Sequence, residues 1–515
     1  MKRLQWYDYL TVNIFWLGLN IRNTALGSFI MPYLVNIFAP EIKNTALGAM
    51  RAAGLVIAML VQPAAGLLSD RSTFRFGRRR PYILIGALFD CLFLAAIALS
   101  WNYWALLIAV LLIQFSSNIS HGPLQGLIPD LVPEDQRGRA SAFKAIMELL
   151  PIILVGLTIA KMISPEPIMI NIHWGTLVLF RFIFPNGLDA AILVTGISLL
   201  VVTLITIIFV KETPLEEKPT TPFWPPMVRV LGMLGGILIG GVAGLLGGGL
   251  VGGLTGLVIW AVTGIPIGWD LSAFPPLIYP TTLPAAIIIG VGGGVAMIVA
   301  VVIGVQAGCL GTLGKEARKQ FSFVWWITNR LMFLAAATSL QGSILFFVMY
   351  AFNLSNEGAT SLSGTLTSVI GVFILISALA SGWLSDRLGR MRLVLVSGIL
   401  AAAGNVMLLI TIWLPNLIII YVAGTIIGLA TGLFMTANWA LGTDLVPAGE
   451  AGRYLGISNL AGAGAGIIGA GIGGLVADAI NHFSMGRGYF AIFAAYALLF
   501  ALSTVTLLGM REVKK

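Results

Sequence analysis

Cysteine and histidine are scarce in this sequence. Of 515 residues, two are Cys (Cys91 and Cys309) and three are His. Both cysteines lie in or beside apolar stretches, so the sequence offers no disulfide framework. It also lacks ligand spacings such as His-Glu-x-x-His that metal sites require. We therefore expect no disulfide, no bound metal and no cofactor.

Charged residues are scarce as well. They make up 10% of the chain, apolar residues make up 58%, and the mean hydropathy is +0.96. A water-soluble domain carries about 25% charged residues, so this composition favours a membrane protein. The apolar runs are continuous rather than alternating, which argues against a transmembrane β-barrel. Many reach the roughly 20 residues that an α-helix needs to cross a bilayer, and the predicted fold class is an all-α membrane protein.

The chain has 61 Gly but lacks the Gly-Lys-Ser/Thr ending of a nucleotide-binding loop. This argues against an ATP-driven pump, and no group of catalytic residues indicates an enzyme. The net charge of +9 comes from Lys and Arg in alternate loops, the bias typical of cytoplasmic loops. It predicts a multi-pass protein of the plasma (inner) membrane with both termini in the cytoplasm, and no nucleic-acid partner.

Two charged motifs occur twice, once in each half of the chain. The first is an Asp-Arg pair followed by Gly-Arg, between two apolar runs. The second is Asp-Leu-Val-Pro with an Arg nine residues after the Asp. Their copies are related by nearly equal offsets of 316 and 314 residues, which indicates two parallel repeats. The residues of these motifs, with one preceding glycine, are Gly66, Asp70, Arg71, Gly77, Arg78, Asp130, Arg139, Asp386, Arg387, Gly389, Arg390, Asp444 and Arg453.

The apolar runs give each repeat six predicted spans. They cover residues 10–38, 47–68, 82–100, 104–128, 141–163, 188–210, 325–352, 362–384, 393–413, 417–441, 455–480 and 489–509. Between the repeats, residues 231–256 hold 12 Gly among aliphatic residues, and 285–305 is apolar again. Two extra helices packed through small residues would give about 14 spans in total; a re-entrant hairpin is the alternative. The predicted domains are an N-terminal bundle (1–210), a central linker with the Gly-rich membrane insert (211–324) and a C-terminal bundle (325–515).

Polar side chains inside the predicted spans are candidates for a solute site, because such groups are costly in hydrocarbon and face a cavity or a partner. Gln114, Asn118 and His121 are spaced by four and three residues, so they share one face of a helix. The predicted substrate-binding residues are Asn20, Arg22, Asn23, Gln114, Asn118, His121, Gln341, Asn438 and Trp439.

Ionisable residues inside the spans are candidates for proton coupling. Glu148 and Lys144 lie one turn apart in span 141–163, and His121 lies at a similar depth in span 104–128. A carboxyl or imidazole group within the membrane can exchange a proton between two conformations. We predict Glu148 as the proton carrier and His121 as the second candidate, and leave Asp90 open between a structural ion pair and a functional role.

The charged loops resemble the loop signature of the major facilitator superfamily. The longer first copy is most similar to the loop of the glycoside–pentoside–hexuronide:cation symporters and the related sucrose–proton symporters. This resemblance implies the major facilitator fold. It also implies that the motif residues above form a gate, with contacts that close in one conformation and break in the other.

Span 104–128 carries a second resemblance. From Asn118 through His121 to Pro123 it is similar to the sucrose-symporter pattern Asn-x-x-Gln-Gly-Pro, with His121 in place of the Gln. The Asp that couples protons in that family is replaced here by Gln114, which cannot carry a proton. Coupling therefore falls to Glu148 or His121.

These features predict a secondary active transporter that moves a small polar solute with alternating access, and the resemblance implies that the solute is a sugar or glycoside moved by cation (proton) symport. Its partners would be the lipid bilayer, the solute and a coupling proton or sodium ion, and it would act as a monomer. Two alternatives remain open. One is efflux of an amphiphilic compound, which the apolar second half favours, and the other is a non-transporting membrane sensor or assembly factor.

Overall fold

The computed structural model describes residues 5–174, 177–212, 224–270, 278–314, 316–446 and 451–510. Long helices dominate this part of the chain. In chain order they are α1 (Trp6–Thr24), α2 (Lys43–Asp70), α3 (Arg80–Ala98), α4 (Tyr103–Gln125), α5 (Arg137–Leu157), α6 (Gly187–Phe209), α7 (Trp224–Thr263), α8 (Leu283–Leu313), α9 (Phe321–Ala351), α10 (Asn356–Leu388), α11 (Arg390–Ile410), α12 (Leu417–Leu445), α13 (Ala451–Phe483) and α14 (Arg487–Thr506).

Most of these helices are long and apolar enough to span a bilayer. By length and composition, 13 helical segments in the described ranges qualify. The first predicted span, 10–38, is one further helical run, in which α1 continues through a π-helical turn (Ala25–Ile30) into a helix at Met31–Phe38. With that run the total matches the predicted 14, and the all-α fold class is confirmed.

Short elements connect the long helices. They are 3₁₀ turns at Pro40–Ile42, Glu134–Gln136 and Leu507–Gly509, helices at Leu127–Leu131, Ile159–Met162 and Glu316–Lys319, and strands β1 (Ile168–Trp174), β2 (Leu177–Phe184), β3 (Trp269–Asp270) and β4 (Tyr279–Pro280). β1 pairs antiparallel with β2, and β3 with β4. The β1–β2 hairpin lies before α6, where the sequence analysis predicted no element.

The chain forms two compact units. Unit 1 comprises Met1–Phe38, Leu60–Pro222 and Asn353–Gly371, and unit 2 comprises Ala39–Met59, Phe223–Phe352 and Val372–Lys515. Each unit thus contains a short segment of the other half of the sequence. The division into domains at 210 and 324 stays a prediction.

In unit 1, α1 packs against α5 and α6, and α3 packs against α4 and α6. Small residues permit the closest approaches. A Cβ on Gly18 would collide with the Val202 side chain, and one on Gly122 would collide with the Gln62 carbonyl. Between these helices lies an apolar core made of Val12, Phe15, Trp16, Leu19, Ile83, Ala87, Leu124, Leu127, Met147, Leu199, Val202 and Val210.

In unit 2, the Gly-rich region forms two long helices, α7 and α8, packed against each other. Glycines four residues apart on α7 meet the backbone of α8, because a Cβ at Gly236, Gly240, Gly244 or Gly248 would collide with it. The opposite face of α7 exposes Leu and Val side chains such as Leu238 and Leu250. This is the close small-residue packing expected of helices in lipid. The predicted two-helix insert is confirmed, and α8 packs in turn on α13 and α14.

Candidate functional site

A buried ion pair lies within unit 1. Nη2 of Arg22 on α1 lies 3.3 Å from Oδ2 of Asp90 on α3, and both side chains are almost fully buried. The Arg22 guanidinium also donates a hydrogen bond to the Ser117 hydroxyl, and the Ser116 hydroxyl donates one to Asp90. The partner of Arg22 is therefore Asp90, the residue whose role the sequence left open. Burying a charge at this position costs free energy unless a partner of opposite charge compensates it.

A second polar cluster surrounds Trp16 of α1. Its ring meets the His121 ring edge-on with centroids 5.2 Å apart, and the Lys144 ammonium lies 4.2 Å from the Trp16 centroid. Lys144 also pairs with Glu148 one turn along α5, at 3.4 Å between Nζ and Oε1. The side chains of Lys144 and Glu148 are about one-third exposed, at 31% and 33%. The two predicted coupling residues are thus linked through one aromatic ring and one lysine.

The remaining predicted residues of unit 1 lie on α1 and α4. Asn20 is half-buried and donates to the Trp16 carbonyl at 2.9 Å, whereas Asn23 is exposed. Asn118 is buried and donates to the backbone carbonyl of Gln114 at 2.7 Å. Each of these two hydrogen bonds joins a side-chain amide to a backbone carbonyl one turn away in the same helix.

Unit 2 contains a buried polar cluster, of which the sequence analysis predicted only Asn438 and Trp439. Asn438 on α12 is fully buried; its side chain accepts from the Arg330 guanidinium at 3.2 Å and donates to Asn329 at 2.7 Å. The Arg330 guanidinium also lies 5.2 Å from the Trp439 centroid. Arg330 is nine-tenths buried, and no carboxylate in the described ranges pairs with it.

Arg330 should have been visible in the sequence, because it interrupts the apolar span 325–352. Its buried charge is compensated only by neutral dipoles and an aromatic face among the described residues, which is a weak compensation. Gln341, predicted on the same helix, is exposed.

The first charged motif forms an ion-pair network in unit 1. Arg79 pairs with Asp70 at 2.9 Å and with Asp130, and Arg78 pairs with Asp130 as well. The two motifs predicted separately are therefore joined. The sequence analysis assigned gating to Arg78 and left Arg79 out, yet Arg79 is the more buried of the two and bonds both acids. Arg71 is half-buried, and Arg139 is exposed at the start of α5.

Glycine and glutamate complete this network. Gly77 has φ +106°, a conformation that favours glycine, and a Cβ there would collide with the Glu212 carboxylate. Glu212 accepts from the backbone N–H groups of Arg79 and Arg80, at 2.9 and 3.2 Å. A carboxylate at the N-terminus of α3 stabilises that helix. Glu212 was not predicted, because in the sequence it simply follows the last span of the repeat and belongs to neither repeated motif.

The second copy repeats the Arg–Asp pair and the positive-φ glycine in unit 2. Arg390 pairs with Asp444 at 2.5 Å and donates to the Ala440 carbonyl at 2.9 Å, and Gly389 has φ +88°. Arg387 lies over the Trp383 ring at 4.1 Å. The side chains of two predicted gate residues, Asp386 on α10 and Arg453 on α13, lie outside the described residues.

A carboxylate outside both motifs holds the start of α2. Asp478 on α13 is 5% exposed and accepts hydrogen bonds from the Thr45 N–H at 2.7 Å and the Asn44 side chain at 2.6 Å. The Asn44 N–H lies 3.4 Å from the same carboxylate. All of these atoms belong to unit 2. The contact joins residues 434 positions apart, and no short motif could have indicated it.

Two family models match this chain. The model described as MFS/sugar transport protein matches residues 16–234, and the model described as Major Facilitator Superfamily matches residues 331–515. The chain belongs to the major facilitator superfamily. The predicted resemblance is confirmed, and the chain is a multi-pass membrane protein.

Curated relatives of this superfamily member include sugar transporters. A sucrose transport protein of Oryza sativa subsp. japonica is 28% identical over 224 residues, 38% of this chain and 39% of the relative. The general alpha-glucoside permease of Schizosaccharomyces pombe is 26% identical over 228 residues, 41% of this chain and 38% of the relative. The matched region thus spans about two-fifths of these relatives' length.

Solved structures match this superfamily member over almost its whole length. A crystal structure of a mutant of the peptide transporter POT gives a TM-score of 0.63 at 13% identity and covers 99% of this chain and 96% of its own. The D-xylose-proton symporter gives 0.60 at 14%, with 98% of each chain covered. At these identities the likeness concerns the fold, and its coverage includes the Gly-rich helix pair.

Proposed function

We propose that the protein is a secondary active transporter that moves a small polar solute, a sugar or glycoside, by proton symport with alternating access. The observation that carries this proposal is the match of residues 16–234 to a sugar-transport family model. Relatives named as sucrose and alpha-glucoside transporters support the solute class. The buried polar clusters at Arg22 and Arg330 support it too, because a membrane helix keeps such groups for a partner or a solute.

The proposed roles follow the placement of the side chains. Glu148, with His121 as the alternative, carries the proton. The ion-pair networks around Asp130 and Asp444 form the gates, since such contacts can close in one conformation and break in the other. The solute-binding set consists of the residues predicted from sequence together with the newly found Arg330.

We further propose that the transporter acts as a monomer in the plasma (inner) membrane with both termini in the cytoplasm. The alternate-loop bias of Lys and Arg supports this orientation. The Arg78–Asp130 network then faces the cytoplasm. The N-terminus of α2, where Asp478 binds, faces outward.

Uptake by purified protein in proteoliposomes tests the proposed activity. Sucrose and maltose are expected to accumulate when the outside is made acidic, and a proton ionophore should stop accumulation because it removes the driving gradient. Solute binding without accumulation would favour a sensor. Proton-driven expulsion of amphiphilic compounds, with no sugar uptake, would favour efflux.

Replacing Arg330 tests the solute site in unit 2. Arg330→Gln is expected to raise KM for the transported sugar by about tenfold or more, because a charge-assisted hydrogen bond contributes about 1.5–3 kcal/mol. Arg330→Lys keeps the charge but loses the planar fork and should show an intermediate KM. Arg75→Gln, in an exposed loop, is the matched control. An unchanged KM in Arg330→Gln would remove this residue from the site.

A further inference from the structure

A long apolar groove lies within unit 2, between α8 of the Gly-rich pair and α14. Its volume is about 780 Å³. The ends of α9, α11 and α13 border the groove at one end, together with the start of α14. Its lining contains none of the residues proposed above for solute binding, coupling or gating. The groove is therefore separate from the proposed transport machinery.

The groove has the depth of one membrane leaflet. Its lining extends along α8 from Leu283 to Val295 and along α14 from Arg487 to Leu498. At 1.5 Å of rise per helical residue, both distances are about 17 Å. Half of a bilayer's hydrocarbon core is about 15 Å. Beyond its mouth the lining consists of the apolar residues Ala, Gly, Ile, Leu, Val and Phe, which can pack against one extended acyl chain.

The polar lining residues gather at the mouth of the groove. They are Tyr350 at the end of α9, Trp413 and Ser484 just after α11 and α13, and Arg487 at the start of α14. Trp and Tyr in such a position mark the level of lipid headgroups. Arg487 is exposed and lies 5.9 Å from the Phe483 ring. Among the described residues no carboxylate pairs with it, so its charge is available to a ligand.

The turn that carries Arg487 is fixed by its own hydrogen bonds. The Asn481 side-chain oxygen accepts from the N–H groups of Gly486 and Gly488, at 3.0 and 2.9 Å. The Tyr350 hydroxyl donates to the Met485 carbonyl at 3.3 Å. Gly486 has φ +90°, and a Cβ there would collide with Tyr350. The backbone that carries Arg487 is thus fixed at the mouth by these hydrogen bonds before any ligand binds.

We propose that this groove binds one anionic phospholipid, with its phosphate at Arg487 and an acyl chain along α8 and α14. An Arg guanidinium matches phosphate oxygens with two parallel hydrogen bonds. Phosphatidylcholine has the same phosphate, but its quaternary ammonium cancels the net charge and is repelled by Arg487, so it would satisfy the walls and only part of the charge at the mouth. Free phosphate would satisfy the mouth but not the walls. The lipid would fill the space between the Gly-rich pair and the second-half helices.

Native mass spectrometry of the delipidated full-length protein tests the proposal. Dioleoyl phosphatidylglycerol is expected to bind with about fivefold higher affinity than dioleoyl phosphatidylcholine, because its head group carries a net negative charge opposite Arg487 and that of phosphatidylcholine carries none. Arg487→Gln should remove this preference and leave weak binding of both lipids. Gly290→Leu should weaken both, because an added Cβ there is in ordinary contact with Ala491 and Ile480 and the rest of the side chain enters the groove.

A matched control distinguishes filling of the groove from a general effect of leucine. Gly249→Leu makes the same change on α7, where an added Cβ meets nothing within 4 Å, and it should bind lipid as the parent protein does. Equal affinity for the two lipids in the parent, or an unaltered preference in Arg487→Gln, would overturn the proposal. So would displacement of the lipid by excess inorganic phosphate alone, which would indicate an anion site. Loss of a dimer in Gly290→Leu by light scattering would identify a second copy as the occupant.

Discussion

Glu148→Gln is expected to abolish solute accumulation driven by a pH gradient while solute exchange continues. The Glu148 carboxylate lies 3.4 Å from the Lys144 ammonium and is one-third exposed, so protons can reach it and its charged form has a partner. Gln keeps the shape but cannot carry a proton. Exchange of labelled for unlabelled solute needs no net proton movement, and it should therefore persist.

The size of this effect follows from the gradient. With one proton per solute, a difference of one pH unit, about 1.4 kcal/mol, supports at most about tenfold accumulation. In proteoliposomes Glu148→Gln should bring that ratio to about one. Asp189→Asn makes the same change of carboxylate to amide at the start of α6, where Asp189 accepts from Asn186 at 2.9 Å, and should accumulate normally. Accumulation by Glu148→Gln would transfer the role to His121 or to a sodium ion.

The fold was predictable because its signals are local and repeated. An apolar run indicates a span, and the paired motifs indicated the two repeats. The Gly-rich pair was predictable for the same reason, since glycines such as Gly236 and Gly240 recur at the spacing of a helix face that meets α8. The β1–β2 hairpin was missed because its residues are as apolar as a short span and alternate weakly.

The candidate site was less predictable because side-chain partners depend on the tertiary fold. Sequence spacing placed His121 and Glu148 at similar depth, with Lys144 one turn from Glu148, and the structure shows that the Trp16 ring contacts both His121 and Lys144. Sequence spacing could not show that Arg22 pairs with Asp90 rather than remaining available to a solute. Nor could sequence spacing rank Arg79 above Arg78, since adjacent arginines are equivalent until the tertiary fold brings Asp70 and Asp130 to one of them.

The Asp478 contact leads to the prediction with the largest conformational effect. Asp478→Ala is expected to favour a state in which the start of α2 separates from α13, because two charge-assisted hydrogen bonds, from the Asn44 side chain and the Thr45 N–H, are lost. Their loss is worth about 3 kcal/mol, or about a hundredfold in a two-state equilibrium. If the proposed alternating-access cycle separates α2 from α13, this contact breaks once per cycle, and its strength sets how long the two helices stay together.

Cysteine labelling measures this separation. Leu47 is 4% exposed, so Leu47→Cys, in a background without Cys91 and Cys309, should react slowly with an impermeant maleimide added outside. Adding Asp478→Ala should raise the rate strongly, whereas Asp135→Ala, which removes an exposed carboxylate, should not. An unchanged rate in folded Asp478→Ala protein would mean that this contact stabilises α2 in every state. Labelling only from the cytoplasmic side would contradict the proposed orientation, because the start of α2 would then face inward.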